Sequence, residues 1–141
     1  IYRKKLESLI EQHRLNQIVK LISHCKDMPV AYKIANVVVS ASIEPEAFGR
    51  VSVEAQSMEK LIIASNIGAS KETIVRDKTG FLFESGNAES LAEILKKVMI
   101  MDNNTLQSIG FEGRKNILKK FDVEKMCNST FSEYNKLLNY Y

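Results

Sequence analysis

Between Ser42 and Glu54 the chain reads Ser-Ile-Glu-Pro-Glu-Ala-Phe-Gly-Arg-Val-Ser-Val-Glu, and two of its carboxylates, Glu46 and Glu54, stand with seven residues between them. A short apolar run, Val37-Val38-Val39, leads into this stretch, and the helical spacing of Val51, Ala55 and Met58 leads out. The stretch is therefore a loop at the carboxyl end of a strand, entering the amino-terminus of a helix. In open α/β sheets ligands sit at that place, and the unpaired backbone amides of a helix start favour an anionic group such as a phosphate. Amides for a diphosphate, with carboxylates for sugar hydroxyls beside them, suit a nucleotide-sugar.

The spacing of the two glutamates is not specific in itself, since a chain of this composition makes about one such pair by chance. Position says more. At about 100° per residue, Glu54 lies roughly 60° from Val51 and roughly 40° from Met58, on the edge of the helix's apolar face. A solvated glutamate would sit opposite that face, and a carboxylate near a core needs a partner. Helical side chains also lean toward the amino-terminus, which aims Glu54 back at the loop that holds Glu46. The plainer alternative is a half-exposed glutamate bonded to a neighbouring backbone amide.

The elements that must position these residues follow from periodicity. Helical spacing covers about Tyr2–Arg14, with Leu6, Leu9, Ile10 and His13 on its apolar side, and a strand is predicted at Ile18–Ile22 before a polar loop, Ser23 to Asp27. Pro29 suits the first turn of a short helix over about Met28–Ala35. The strand Val37–Ser40, the loop through Phe48 and a helix from about Gly49 to Glu59 come next. Leu61-Ile62-Ile63-Ala64 is the continuous apolar run of a strand buried on both faces. Asn66 to Ala69 makes a second turn at a strand's carboxyl end, followed by a short helix near Ser70–Val75, and Asp77 to Gly80 turns into a strand at Phe81–Phe83. Beyond Gly86 the pattern is wholly helical: one helix capped by Asn87, one over about Thr105–Lys120, and one from Asp122 to about Asn139. The last carries Met126, Cys127, Phe131, Tyr134, Leu137, Leu138 and Tyr141 close to one face, either core or a docking surface. Four strands alternating with helices predict an α/β fold, a Rossmann-like doubly wound parallel sheet with a helical tail.

At 141 residues the chain has the length of one domain. A net charge of +3, with Lys and Arg scattered among Asp and Glu, argues against a nucleic-acid partner. Cys25 and Cys127 form no Cys-x-x-Cys pattern, so each reads as a buried or half-buried thiol in a reducing cytoplasm. No His/Cys/Asp cluster has metal-ligand spacing. His13 is expected to pack, and His24 to be a solvated loop residue. Because the first element is a helix with no strand before it, and parallel sheets are built from strand–helix–strand units, the chain is expected to begin in the middle of a domain.

Glu46-Ala47-Phe48-Gly49-Arg50-Val51-Ser52-Val53-Glu54-Ala55 resembles the Glu–seven–Glu motif of retaining glycosyltransferases of the group 1 type, which have the GT-B fold. The surroundings are similar to the same family in order. Asp27-Met28-Pro29 with Tyr32, Ala35 and Val37 to Ser42 resembles the helix and strand that precede the motif. Ile62 to Gly68 and Glu72-Thr73-Ile74-Val75 resemble the next strand and glycine loop, and Thr79 to Phe83, the Asn87–Leu91 helix start and Phe121-Asp122 follow in family order.

The resemblance implies the carboxy-terminal, donor-binding half of GT-B and a role for each matched position. Glu46, as the catalytic residue, would bond hydroxyls of the donor sugar. Ala47 and Val51 would line the site, and the amides of Phe48, Gly49 and Arg50 would face sugar and diphosphate. Glu54 would bind the ribose hydroxyls, Gly68 would lie in a loop close to the donor, and the backbone near Ser23 would line the base pocket. It also implies a nucleotide-sugar donor, no metal or other cofactor, retaining hexosyl transfer in cell-envelope glycan synthesis, and an enzyme that can associate peripherally with membranes. Its amino-terminal domain would lie outside these residues, with 122–141 docking on it. The alternatives are a non-catalytic nucleotide-binding or interaction module of the same fold and a related GT-B epimerase. The chain departs from the family in Glu59-Lys60-Leu61, where glycine and proline are usual, and in Ala69, the second position of the glycine loop. The family's Arg and Lys phosphate clamp would fall before Ile1, and neither Arg50 nor Lys71 matches it. These 141 residues alone are therefore expected to be inactive.

Overall fold

The computed structural model describes residues 2–138. The elements run α1 (Tyr2–Gln12), α2 (Met28–Ile34), β1 (Val37–Ser40), α3 (Arg50–Ser57), β2 (Leu61–Ser65), α4 (Ser70–Thr73), β3 (Phe81–Phe83), α5 (Ala88–Met99), α6 (Asn103–Lys120) and α7 (Val123–Leu138). Four of the described helices start on side-chain caps: Asp27, Asn87, Asp102 and Asp122 accept from the amides of Val30, Ser90, Thr105 and Glu124, which satisfies donors that the first turn leaves free.

The sheet is parallel in the order β1-β2-β3, with Val37 opposite Leu61 and Ile63 opposite Phe81. All five residues of β2 are buried, as a strand covered on both faces requires. The alternation along the strands sorts the core into two layers. Ile62, Ala64 and Leu82 pack with Tyr32, Ala55 and Ile74 from the connections, with Val51 of α3 and Met58 just past its end against them. Leu61, Ile63, Phe81 and Phe83 pack on the other face with Leu91, Ile94, Leu95 and Val98 of α5 and Leu106 and Ile109 of α6. Helices on both faces of a parallel sheet make the expected doubly wound α/β fold.

Two expectations change. The segment Ile18–Ile22 is not a strand: the sheet has three strands among the described residues, and Ile18 and Ile22 are largely exposed. Its apolar residues have the composition of a strand, but no neighbouring ladder hydrogen-bonds to it, and apolar composition alone cannot supply one. The apolar face of α7 is not core. Met126, Phe131, Tyr134, Leu137 and Leu138 are all exposed, and no described residue of the helix is buried. Asn139 and Tyr141 lie outside the described residues. Cys127 is exposed rather than buried, while Cys25 is half-buried. His13 does not pack; it is exposed just past the end of α1, and His24 is exposed in its loop.

α6 seals the turn between α3 and β2 by close backbone approach. A Cβ built on Gly110 would lie 2.1 Å from the Glu59 carbonyl oxygen and 2.7 Å from its carbon. Backbone cannot yield as a flexible side chain can, so Gly110→Ala must push α6 off the turn. We expect a loss of about 3 kcal/mol in unfolding free energy. Gly113→Ala, whose nearest atom would be Gln56 Cγ at 3.1 Å, should cost less. Urea midpoints for the two variants check this, and equal midpoints would contradict the packing of α6.

Candidate functional site

Three loops leave the carboxyl ends of the strands side by side: Ala41 to Gly49 after β1, Asn66 to Ala69 after β2, and Glu84 to Asn87 after β3. They are tied to one another. The Ala69 N–H donates to the Glu46 carbonyl at 3.1 Å, and the Asn66 N–H to the Phe83 carbonyl at 2.7 Å. The Ser85 hydroxyl donates to the Ser42 carbonyl at 3.2 Å. The Ser42 hydroxyl in turn donates to Glu46 Oε1, so both the backbone and the carboxylate of Glu46 are held.

Gly68 makes this assembly sterically possible. Its φ of +55° is left-handed, and a Cβ there would stand 2.8 Å from the Glu46 carbonyl oxygen and 2.9 Å from its amide nitrogen. The nearest atoms are thus those of the Pro45–Glu46 backbone, and the glycine lets the second loop press against the first. Gly49, buried at φ +67°, is the N-cap of α3 and provides no side-chain cap. The amides of Ser52 and Val53 turn back to its carbonyl, and those of Arg50 and Val51 point out of the helix end. Glu46 Oε2 lies 4.0 Å from where a Gly49 Cβ would be, so one exposed carboxylate overhangs an open helix amino-terminus.

Glu54 stands one turn further on, with its side chain one-third exposed. Its partners are side chains rather than the backbone amide of the plainer alternative. Buried Tyr32 of α2 donates its hydroxyl to Oε2 at 2.9 Å. Arg50 donates to Oε1 through Nε at 3.0 Å and Nη2 at 2.8 Å. Arg50 is 82% exposed, so this ion pair adds at most about 1 kcal/mol to stability. Burial, and then the hydrogen bond to Glu54 and its charge, push the Tyr32 hydroxyl from 10.0 up to about 12, with Arg50 opposing.

Glu46, Ala47, Phe48, Gly49, Arg50, Val51, Glu54 and Gly68 are therefore gathered at one edge of the sheet. Phe48 is half-exposed and meets Phe121, at the end of α6, edge-on with ring centroids 5.9 Å apart. Ser23 is not drawn into this cluster by hydrogen bonds: its hydroxyl accepts from Arg3 of α1 at 3.0 Å. Tyr32 was assigned no role from sequence, although a buried tyrosine hydroxyl needs a partner and Glu54 was the carboxylate in want of one. A cavity of about 660 Å³ opens at the opposite end of the strands beside Val37 and Leu61. Its charged groups serve structural bonds, Lys60 to the Lys33 carbonyl and Glu59 to Arg114, so chemistry is assigned to the carboxyl edge.

The glycosyl transferases group 1 family matches residues 2–116. This chain belongs to that family. It is 36% identical over 123 residues to the capsular polysaccharide biosynthesis glycosyltransferase CapM of Staphylococcus aureus, which covers 87% of this chain and 32% of that protein. Among solved structures, a glycosyltransferase from Rickettsia africae superposes with a TM-score of 0.89 at 33% identity, covering 97% of this chain and 36% of that one. Anabaena HepE, solved with UDP and glucose, superposes with a TM-score of 0.86 at 28% identity over 96% of this chain and 36% of its own. The chain thus spans about a third of the length of these relatives, and the piece it matches is carboxy-terminal in a GT-B fold. No helix among the described residues is long and apolar enough to cross a membrane.

The folded-state value of about 12 for Tyr32 lies above its ordinary 10.0. Its contribution to stability is therefore complete below pH 10 and lost as pH rises through 12. Alkaline titration followed by tyrosinate absorbance should show a late phase from Tyr32. Tyr32→Phe should abolish that late phase, and Glu54→Gln should lower its midpoint only in part, because burial is the larger cause. A late phase that survives Tyr32→Phe would contradict the assignment.

Proposed function

We propose that this chain forms the nucleotide-sugar-binding side of a retaining glycosyltransferase, which moves a hexosyl group from a nucleoside diphosphate to an acceptor hydroxyl in cell-envelope glycan synthesis. The observation that carries this is the convergence of Glu46, Glu54 and the uncapped amino-terminus of α3 at the carboxyl edge of the sheet. Glu54 accepts the ribose hydroxyls, and Glu46 accepts hydroxyls of the donor sugar. The amides that open α3 face the diphosphate, where charge grows as the glycosidic bond breaks, and fixed dipoles aimed at developing charge are the strongest lever an enzyme has. On this reading amides and cations meet that charge, and the reaction needs no divalent ion. The complexes of HepE with UDP and glucose and with UDP-glucose support a uridine nucleotide as donor, and kinship with CapM supports a capsular or envelope glycan.

The exposed face of α7 is the surface on which an amino-terminal domain would dock. Transfer depends on groups that hold the transition state from both sides, so the 141 residues alone would bind nucleotide weakly and transfer nothing.

In the protein at its full natural length, Glu54→Gln should cost about 2–3 kcal/mol of nucleoside diphosphate affinity by calorimetry, the worth of charge-assisted bonds to two hydroxyls. Unchanged affinity would remove Glu54 from the ribose site. Glu46→Ala should act on the other half of the donor: transfer falls strongly while binding of the free nucleoside diphosphate stays nearly intact. Equal losses for nucleotide and nucleotide-sugar would place Glu46 elsewhere.

A further inference from the structure

The two oxygens of Glu54 have unlike partners. Oε2 accepts from Tyr32, a residue only 5% exposed that packs in the core with Ala55 and Ile62. Oε1 accepts from Arg50, whose side chain lies almost wholly in solvent. Oε2 therefore faces the interior and Oε1 the solvent. The inner bond joins residues 22 apart in sequence, on α2 and α3, whereas the outer bond joins residues one turn apart on the same helix. A guanidinium in water can exchange its partner at little cost. A phenol in the core cannot, because its only proton would be left without an acceptor.

We propose that Tyr32 is the positioning residue of this site: it clamps Glu54 through Oε2 so that Oε1 is presented to a vicinal diol, and Arg50 covers that oxygen until the diol displaces it. This rests on Glu54 as the ribose-binding carboxylate and extends it. A carboxylate free to rotate would lose side-chain entropy on binding the diol. Held by Tyr32, it is ordered beforehand, so the hydroxyl bonds are made without that loss. The clamp therefore favours ribonucleotides over their 2′-deoxy analogues, and Tyr32 sets that preference without touching the ligand. Arg50, once released, remains beside the open end of α3, where a diphosphate would lie.

The test compares ligands that differ by one hydroxyl. With the protein at its full natural length, UDP and GDP are each titrated against their 2′-deoxy forms by calorimetry, in wild type, Tyr32→Phe, Glu54→Gln and the double variant. Tyr32→Phe keeps the ring that packs in the core and removes one oxygen, so the fold is retained, and melting temperature checks it. We expect Tyr32→Phe to weaken the ribonucleotide about tenfold and the 2′-deoxy form less than about twofold. The double variant should lose little beyond Glu54→Gln, because both act through one carboxylate. Equal weakening of both ligands by Tyr32→Phe, with Glu54→Gln still selective for the ribose, would make Tyr32 a packing residue and overturn the clamp alone. If Glu54→Gln leaves the ribose preference intact, or no nucleoside diphosphate binds, the ribose assignment itself falls and the clamp with it.

Discussion

Everything at the carboxyl edge depends on one strand being buried from end to end. β2 is covered on both faces and paired on both edges, which fixes its height relative to β1 and β3 by the registers Val37 to Leu61 and Ile63 to Phe81. Parallel pairing sends all three strands out of the sheet in the same direction, so their outgoing loops must meet. A single-residue slip would turn Ile62 and Ala64 from one core layer into the other, a change that two filled layers forbid. The site is thus placed by apolar packing, although no apolar side chain need take part in its chemistry.

What the sheet brings together, short-range contacts then sharpen. The Glu46 backbone is pressed by Gly68 and bonded by Ala69, and its carboxylate is bonded by Ser42, which is itself held by Ser85. Each of the three loops therefore contributes to the placement of one glutamate. Preorganisation of this kind is needed where a binding group cannot be buried outright, because an exposed carboxylate otherwise samples many rotamers. The change from glycine to alanine at position 69 is tolerated in this arrangement because its φ of −62° is ordinary for any residue. The left-handed position falls one residue earlier, at Gly68.

β2 and β3 are legible because a parallel strand buried on both faces must be apolar throughout, as Leu61 to Ala64 is, whereas half-buried β1 is legible from its short run Val37-Val38-Val39 alone. The same signal misled at Ile18–Ile22, since a strand is defined by the hydrogen bonds of a neighbour, and no local pattern shows whether the neighbour is there. The tail shows the same limit from the helical side. The spacing of Met126, Phe131, Tyr134 and Leu137 gives an amphipathic helix, which α7 is, but periodicity reports only that a face is apolar and not what covers it. His13 shows a related limit: helical phase puts it on the apolar side, yet α1 ends at Gln12, and beyond the last turn that phase no longer directs a side chain.

In the site, the place of Glu54 at the edge of its helix's apolar face could be computed from 100° steps, and so could its need for a partner. The identity of the partner could not, because Tyr32 reaches it from a different element across the α2–α3 contact. Arg50, at four residues' distance on the same helix, is within range of a local rule, although from sequence only its backbone amide has a place in the site and its side chain finds no match in the phosphate clamp. The difference matters for function. Local rules find the exposed, exchangeable partner, whereas the partner that fixes the carboxylate comes from tertiary packing and is the one whose loss the site cannot repair with water alone. A tyrosine that packs in the core while its hydroxyl reaches the edge joins the two layers of the argument: apolar burial determines where its ring lies, and the ring determines where the carboxylate points.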